Sequence, residues 1–235
     1  FTIPNSTTVL GEAAFAGCRS LSNVTIPNSV TRIGDYPFAD CTSLTAIEVD
    51  TRNPAYCSVS GVLFDKAQTT LIQCPAGQAI TTYMIPDSVT SIGAGTFWNC
   101  TILASVTIPN SVTNIGDLAF YSCTSLTNAT IPDSVTSSIG YCAFLYCQSL
   151  TGITIGTNVT SIEANAFDQC TCLSNVTIPH SVISIGDYAF NYCPSLTNLM
   201  IGDSVTNIGE SAFQSCAGLA SVTIPGSVAG IGNSA

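Results

Sequence analysis

A 23-residue period governs this chain. The stretch VTIPNSVTNIGDLAFYSCTSLTN, from Val106 to Asn128, recurs with small edits from one end to the other. A unit this short cannot bury its own apolar side, so copies must stack and share one elongated core. The isoleucine of each xIP triplet, or its substitute, marks the period: Ile3, Ile26, Val49, Ile85, Ile108, Ile131, Ile155, Ile178, Ile201 and Ile224. The steps are 23 residues, except for 24 where Ser137-Ser138 replaces a single residue and 36 between Val49 and Ile85. Residues 1–235 are therefore expected to form one solenoid, with both ends falling inside a longer array.

Within a unit the apolar positions read LxxVxI, then VxxI, then AFxxC. The V-x-I alternation suits a short strand with alternate side chains inward. The following proline, as in Pro27, Pro109 and Pro179, has no N–H to donate and ends the ladder. Gly34, Gly116, Gly186 and Gly209 then permit a tight bend. The bend leads into AF, read as a short helical turn, and no segment has room for a long helix. The expected class is an α/β repeat solenoid with short strands and short helical turns. Glu12, Asp35, Asp117, Asp187 and Glu210 follow the bend, placed to cap that helical turn. Phe15, Phe38, Phe97, Phe120, Phe144, Phe167, Phe190 and Phe213 share one column and should stack at roughly one strand spacing, about 5 Å.

One unit breaks the period. Between Val49 and Ile85 the runs Val62-Leu63-Phe64 and Thr69-Thr70-Leu71-Ile72 flank the polar Asp65-Lys66-Ala67-Gln68, a hairpin signal. The variant unit, residues 49–84, is expected to project from the solenoid or to extend it in place of a normal coil. Lys66 sits in its turn and Arg52 nearby, making this unit a candidate binding appendage.

Cysteine is unusually frequent, at 12 residues. Eight occupy one column three residues after the phenylalanine: Cys18, Cys41, Cys100, Cys123, Cys147, Cys170, Cys193 and Cys216. They are expected to form an inward ladder of thiols, small hydrophobes with a weak donor for turn carbonyls. Such a column offers no tetrahedral convergence for zinc, so no metal or other cofactor is expected. The remaining four are Cys57, Cys74, Cys142 and Cys172; Cys172 follows Cys170 by two residues but at a different depth, and Cys57 and Cys74 flank the expected hairpin on opposite arms, where a bridge is the alternative to free thiols.

Charge narrows the partners. Only four Lys and Arg stand against 14 Asp and Glu, a formal net charge of -10. Phosphate backbones and anionic membranes both demand clustered cations, so nucleic acid and membrane surfaces are poor partners. No apolar run reaches the 18 or so residues of a spanning helix, so no membrane insertion is expected. No GxSxG, HExxH, P-loop or GxGxxG occurs, and the single histidine, His180, lies in a polar turn column. Without a paired acid, base or nucleophile, enzymatic activity is not expected.

Two outward surfaces are left as binding candidates. Thr25, Thr107, Thr130, Thr154, Thr177 and Thr223 share the outward position of the first strand, forming an uncharged, repetitive face suited to an extended partner contacted weakly many times. Trp98, Tyr121, Tyr141 and Tyr146 lie off the inward columns around the AFxxC turns, with Tyr188 and Tyr192 at similar positions. Exposed aromatic rings are favoured at interfaces. Asn-x-Ser/Thr triplets at Asn23, Asn128 and Asn175 border the threonine face, so glycans there would obstruct it.

The repeated pattern SLTxVTIPxSVTxIGxxAFxxC resembles the BspA-like class of leucine-rich repeats, surface proteins of oral and gut bacteria and of trichomonad protists. The likeness spans nearly the whole chain, including a variant form of the interrupted unit. It implies a curved, right-handed leucine-rich-repeat superhelix at the cell surface or outside the cell. It also implies adhesion to extracellular or host-surface proteins. A spacer that displays another domain is the competing role, and uncapped ends would allow self-association.

Overall fold

The computed structural model describes all 235 residues as stacked coils built from strands and turns. Strands equivalent by the repeat pair in parallel, and the pairing register follows the period. Asn175 faces Asn198, Val176 faces Leu199, Thr177 faces Met200 and Ile178 faces Ile201. Most coils contribute to two ladders. The V-x-I strands form a six-stranded parallel sheet from Thr82–Met84 to Asn198–Ile201, and Asn23–Ile26 pairs with Ala46–Val49 in a smaller one. The VxxI segments form a second ladder of two-residue strands that runs to Gly230–Ile231. Residues 221–224, the last V-x-I copy, form no strand.

The AFxxC turns are not helical, which corrects the α/β expectation. The backbone enters the left-handed region two residues before and two residues after each column phenylalanine, as at Leu118 and Ser122 around Phe120 and Tyr188 and Tyr192 around Phe190. A right-handed helix cannot propagate through such alternation. It turns alternate N–H groups toward the next coil instead. Gly95, Phe97 and Asn99 donate to the carbonyls of Asp117, Ala119 and Tyr121 at 2.8–2.9 Å. The turns thus form a third inter-coil ladder. The acidic column was also misassigned: Asp117 Oδ1 accepts from Tyr141 N (2.8 Å) and Asp187 Oδ1 from Glu210 N (2.7 Å), capping the next coil rather than its own turn.

The bend glycines have a different cause from the one their spacing suggests. None of Gly34, Gly116, Gly186 or Gly209 has a positive φ. A Cβ at Gly186 would lie 2.5 Å from Ala164 N, and one at Gly209 would lie 2.4 Å from Asp187 N. These positions are glycine because adjacent coils approach there closely.

Side chains stack as the period dictates. Phe97, Phe120, Phe144, Phe167, Phe190 and Phe213 lie 4.9–5.5 Å centroid to centroid, with planes within 12°. Six of the column cysteines are buried. Cys123, Cys147, Cys170 and Cys193 each donate through Sγ to the phenylalanine carbonyl of the preceding coil at 3.2–3.3 Å. Burial pushes the Cys147 thiol up to about 12 and that of Cys41 to about 11. Cys18 is exposed and Cys216 only half-buried. All 12 thiols are free, including Cys57, which donates to Asp65 O (3.3 Å), and Cys74.

The interrupted unit extends the solenoid and does not project from it. The expected hairpin forms between Val62–Asp65 and Thr70–Gln73, but a further strand, Tyr56–Val59, precedes it through the two-residue turn Ser60-Gly61. Both turn residues have positive φ (52° and 79°), the tight geometry that matches strand twist. This antiparallel meander joins the second ladder through Thr70–Gln73. Its alternate side chains serve two cores: Leu63 is one of the 10 buried residues on the N-terminal side, and Val62, Phe64 and Leu71 are among the 45 beyond. The meander is a septum across the solenoid. Asn53 anchors it, buried at 1% exposure. Its Nδ2 donates to Pro27 O (2.7 Å) and Val30 O (2.9 Å), and its Oδ1 accepts from Ala55 N (2.9 Å) and Tyr56 N (2.8 Å).

Candidate functional site

The outward side of the six-stranded sheet is the first candidate surface. Thr107, Thr130, Thr154 and Thr177 are exposed in the middle position of consecutive V-x-I strands. Alternation forces this arrangement, because Val106, Ala129, Ile153 and Val176 at the preceding positions are buried. The register continues the column at both edges through Met84, opposite Thr107, and Met200, opposite Thr177. These are the only methionines in the chain, 79% and 66% exposed. The face therefore reads Met, four threonines, Met, over roughly 24 Å at the usual strand spacing. Thr25 lies in the smaller N-terminal sheet, and Thr223 is exposed but outside any strand. The methionines escaped the sequence reading because YMIP and LMIG were aligned only through their isoleucines; the next residue back would have revealed them.

A second outward column runs alongside. Ser105, Asn128, Gly152, Asn175 and Asn198 stand in register across neighbouring strands. Asn198 Nδ2 donates to Asn175 Oδ1 (2.7 Å). The missing side chain at Gly152 opens a shallow trough of about 540 Å³ between Asn128, Thr130, Thr154, Asn175 and Thr177. The trough is lined by hydroxyls, amides and methyls and carries no charge. It offers hydrogen bonds and modest apolar contact but no group able to cleave or transfer anything.

The aromatic candidates fall on the AFxxC ladder, and the structure brings three of them together. Trp98 and Tyr121 lie 4.6 Å apart, and Tyr121 meets Tyr146 edge-on at 5.7 Å. Tyr36, which sequence reasoning passed over, extends the row by packing edge-on against Trp98 at 5.8 Å. The septum makes this contact possible. It replaces the AFxxC turn of the third coil, so the second and fourth turns meet directly, and Asn99 Nδ2 bonds Asp40 Oδ1 (2.6 Å) across the junction. Gly95 supplies the room, since a Cβ there would lie 2.6 Å from Tyr36 Cδ1. Tyr141 is exposed beside Cys142, outside this row.

Several charged groups outside these two faces pair locally. His180 and Asp203 form a wholly superficial pair (2.6 Å), the kind that contributes little. Lys66 reaches Thr51 O (3.4 Å), Arg52 pairs with Asp50 and Arg19 with Asp40. No group of three or more His, Cys, Asp and Glu is placed to hold a metal ion, and no helix is long and apolar enough to cross a membrane.

Comparison with known proteins agrees with this geometry. The family model described as BspA type leucine rich repeat region matches in six copies, over residues 1–60, 73–138 and 137–235, leaving out 61–72 at the heart of the septum. A leucine-rich repeat protein from Eubacterium ventriosum superposes with a TM-score of 0.92 at 28% identity, over 99% of this chain and 62% of that one. A leucine rich cell surface protein from Faecalibacterium prausnitzii gives 0.67 at 30% identity, over 99% and 52%. The pneumococcal vaccine antigen PcpA shares the fold, with 0.54 at 21% identity over 95% and 54%. The chain thus spans between about half and three-fifths of these structures. No curated protein matches the sequence. With repeats matched over nearly its whole length, the chain belongs to the BspA-type leucine-rich repeat family.

Proposed function

We propose that this chain is a recognition module, secreted or displayed at a cell surface, that adheres to host or microbial proteins through many weak contacts. The observation that carries the reading is the uncharged Met-Thr-Thr-Thr-Thr-Met column exposed across six strands. Threonine hydroxyls and methyls recur there at strand spacing, and flexible methionines adapt to varied partners. An extended segment laid across the strands meets the same group at each step, so weak contacts accumulate. The F. prausnitzii relative, named as a cell surface protein, supports the location. The absence of a paired acid, base or nucleophile in the trough accords with binding rather than catalysis.

The test is adhesion of the purified chain to host-cell and bacterial surface proteins, compared with variants of the column. Thr130→Asp with Thr154→Asp places two charges in the trough and is expected to lower binding by at least about tenfold, against about two- to threefold for Thr154→Ala alone. Adhesion unchanged by the double substitution would remove this face from the reading. Failure of the chain to bind any such protein would favour a spacer role.

A further inference from the structure

We propose that the aromatic row on the AFxxC ladder, with the cleft at its septum end, is a docking surface for a lysine- or arginine-rich polypeptide segment. This names the chemistry of one partner and so rests on the reading of the chain as a recognition module. It concerns a surface separate from the threonine sheet.

Three observations converge. The first is the row itself: Tyr36, Trp98, Tyr121 and Tyr146 run without a break across the turns of four coils, each half-buried or exposed, presenting ring surface to solvent. The second is a cleft of about 220 Å³ beside Tyr36, opened where the septum replaces the third coil's turn. Its lining residues include the aromatic Tyr36 and Tyr56 and the acidic Asp35 and Asp65. Asp65 is fixed in place, its two oxygens accepting from Thr70 N and Thr69 Oγ1, both at 2.7 Å. A cleft of this size accepts one long side chain, and two carboxylates beside two rings favour a cationic one.

The third is the field around the row. Burial raises the Tyr36 phenol, and the neighbouring charges of Asp117, Asp35 and Glu12 raise it further. Tyr121 is raised by burial, then by Tyr146, Cys142 and Asp40. The last cation in the sequence is Lys66; from Ala67 onward there are eight Asp and Glu and no Lys or Arg. A basic segment seated in the cleft and running along the row meets ring faces and carboxylates together, with no repelling charge beyond the septum. A neutral glycan would use the rings but gain nothing from the carboxylates, so the acidity favours the basic peptide.

The single tryptophan is in the row, so its emission reports this surface alone. Titration of the intact chain with an octa-arginine peptide is expected to change Trp98 emission saturably, more tightly at low than at high salt, while octa-glutamate has no effect. Tyr36→Ala and Asp35→Asn should each weaken octa-arginine by about three- to thirtyfold. Both should fold, because alanine already occupies the position equivalent to Tyr36 in the first coil (Ala13) and Asp35 is exposed. Asp203→Asn, remote in sequence on another turn, should have no effect.

Equal weakening by Asp203→Asn and Asp35→Asn would reveal diffuse attraction to an acidic protein and overturn the proposal. So would unchanged affinity in Tyr36→Ala, or an emission response to maltohexaose in place of octa-arginine. In each of those cases adhesion through the threonine sheet still stands if Thr130→Asp with Thr154→Asp abolishes it. Loss of adhesion with the octa-arginine response intact would instead overturn the sheet reading alone.

Discussion

Asn53 is the residue on which the join between the two cores depends, and replacing it with leucine makes that dependence measurable. All four hydrogen-bonding positions of its amide are used, two donors and two acceptors, at 2.7–2.9 Å. Asn53→Leu keeps the size of the side chain and removes all four bonds. Pro27 O retains a second donor in Val30 N (3.3 Å), leaving Val30 O, Ala55 N and Tyr56 N without partners. At about 1–1.5 kcal/mol for each group left unpaired, the loss is about 3–5 kcal/mol. In a solenoid stability is close to a sum of local terms, so this loss should fall on the N-terminal coils and the septum. Hydrogen exchange should then quicken by about 100- to 4,000-fold for the amides of Asn23–Ile26 and Ala46–Val49. Exchange across the Phe97-to-Phe213 stack should hardly change. Asn53→Asp is the sharper control, because it keeps both acceptors but sets a carboxylate oxygen against two carbonyls; it should be no milder than leucine at neutral pH. Uniform acceleration along the whole chain, or a loss below about 1 kcal/mol, would refute the account of the septum as a separate, Asn53-anchored partition.

Phe144 lies fully buried between Phe120 (4.9 Å) and Phe167 (5.2 Å), so Phe144→Ala should cost about 3–5 kcal/mol by chemical denaturation, and Phe15→Ala at the half-buried end of its column clearly less. Under native conditions a thiol reagent should modify Cys18 and Cys172 at once and the buried ladder cysteines only as coils open, since their thiolates are both covered and scarce. Burial raises the Asp168 carboxyl, partly offset by Asn191 donating to Oδ1 (2.9 Å). The folded state therefore holds this proton more tightly, and stability is lost as pH rises from the unfolded value, about 3.9, through the folded one. Asp168→Asn should accordingly raise Tm at pH 7 and leave it nearly unchanged at pH 3, as followed by thermal denaturation. Gly95→Ala meets both a left-handed φ of 64° and the Tyr36 ring, and should shift Trp98 emission and cost about 1–2 kcal/mol.

The parts of this molecule that were legible in the sequence are those fixed by period alone. Once Phe120 and Phe144 occupy the same column, stacking near 5 Å is forced by strand spacing, and so is the burial of Cys123 and Cys147 three residues on. What period does not encode is the sign of φ. Residues as unlike as Leu118, Cys142, Asn165 and Tyr188 all adopt the left-handed region at one repeat position. Nothing in their chemistry announces it, because the conformation is imposed by the inter-coil ladder that their own N–H groups complete. The short helical turns were misjudged for that reason, and the glycines for a related one: Gly186 answers to a backbone 22 residues earlier, not to its own bend. The candidate surfaces divide along the same line. The threonine column was readable as a column, yet its ends at Met84 and Met200 emerged only from register. The aromatic row was half readable, since Trp98, Tyr121 and Tyr146 share a turn type while Tyr36 joins them only because the septum deletes the turn between. A repeat states what each coil does; the departures from it bring together residues that the period alone would keep two coils apart, and on this chain the cleft and the start of the aromatic row both lie at such a departure.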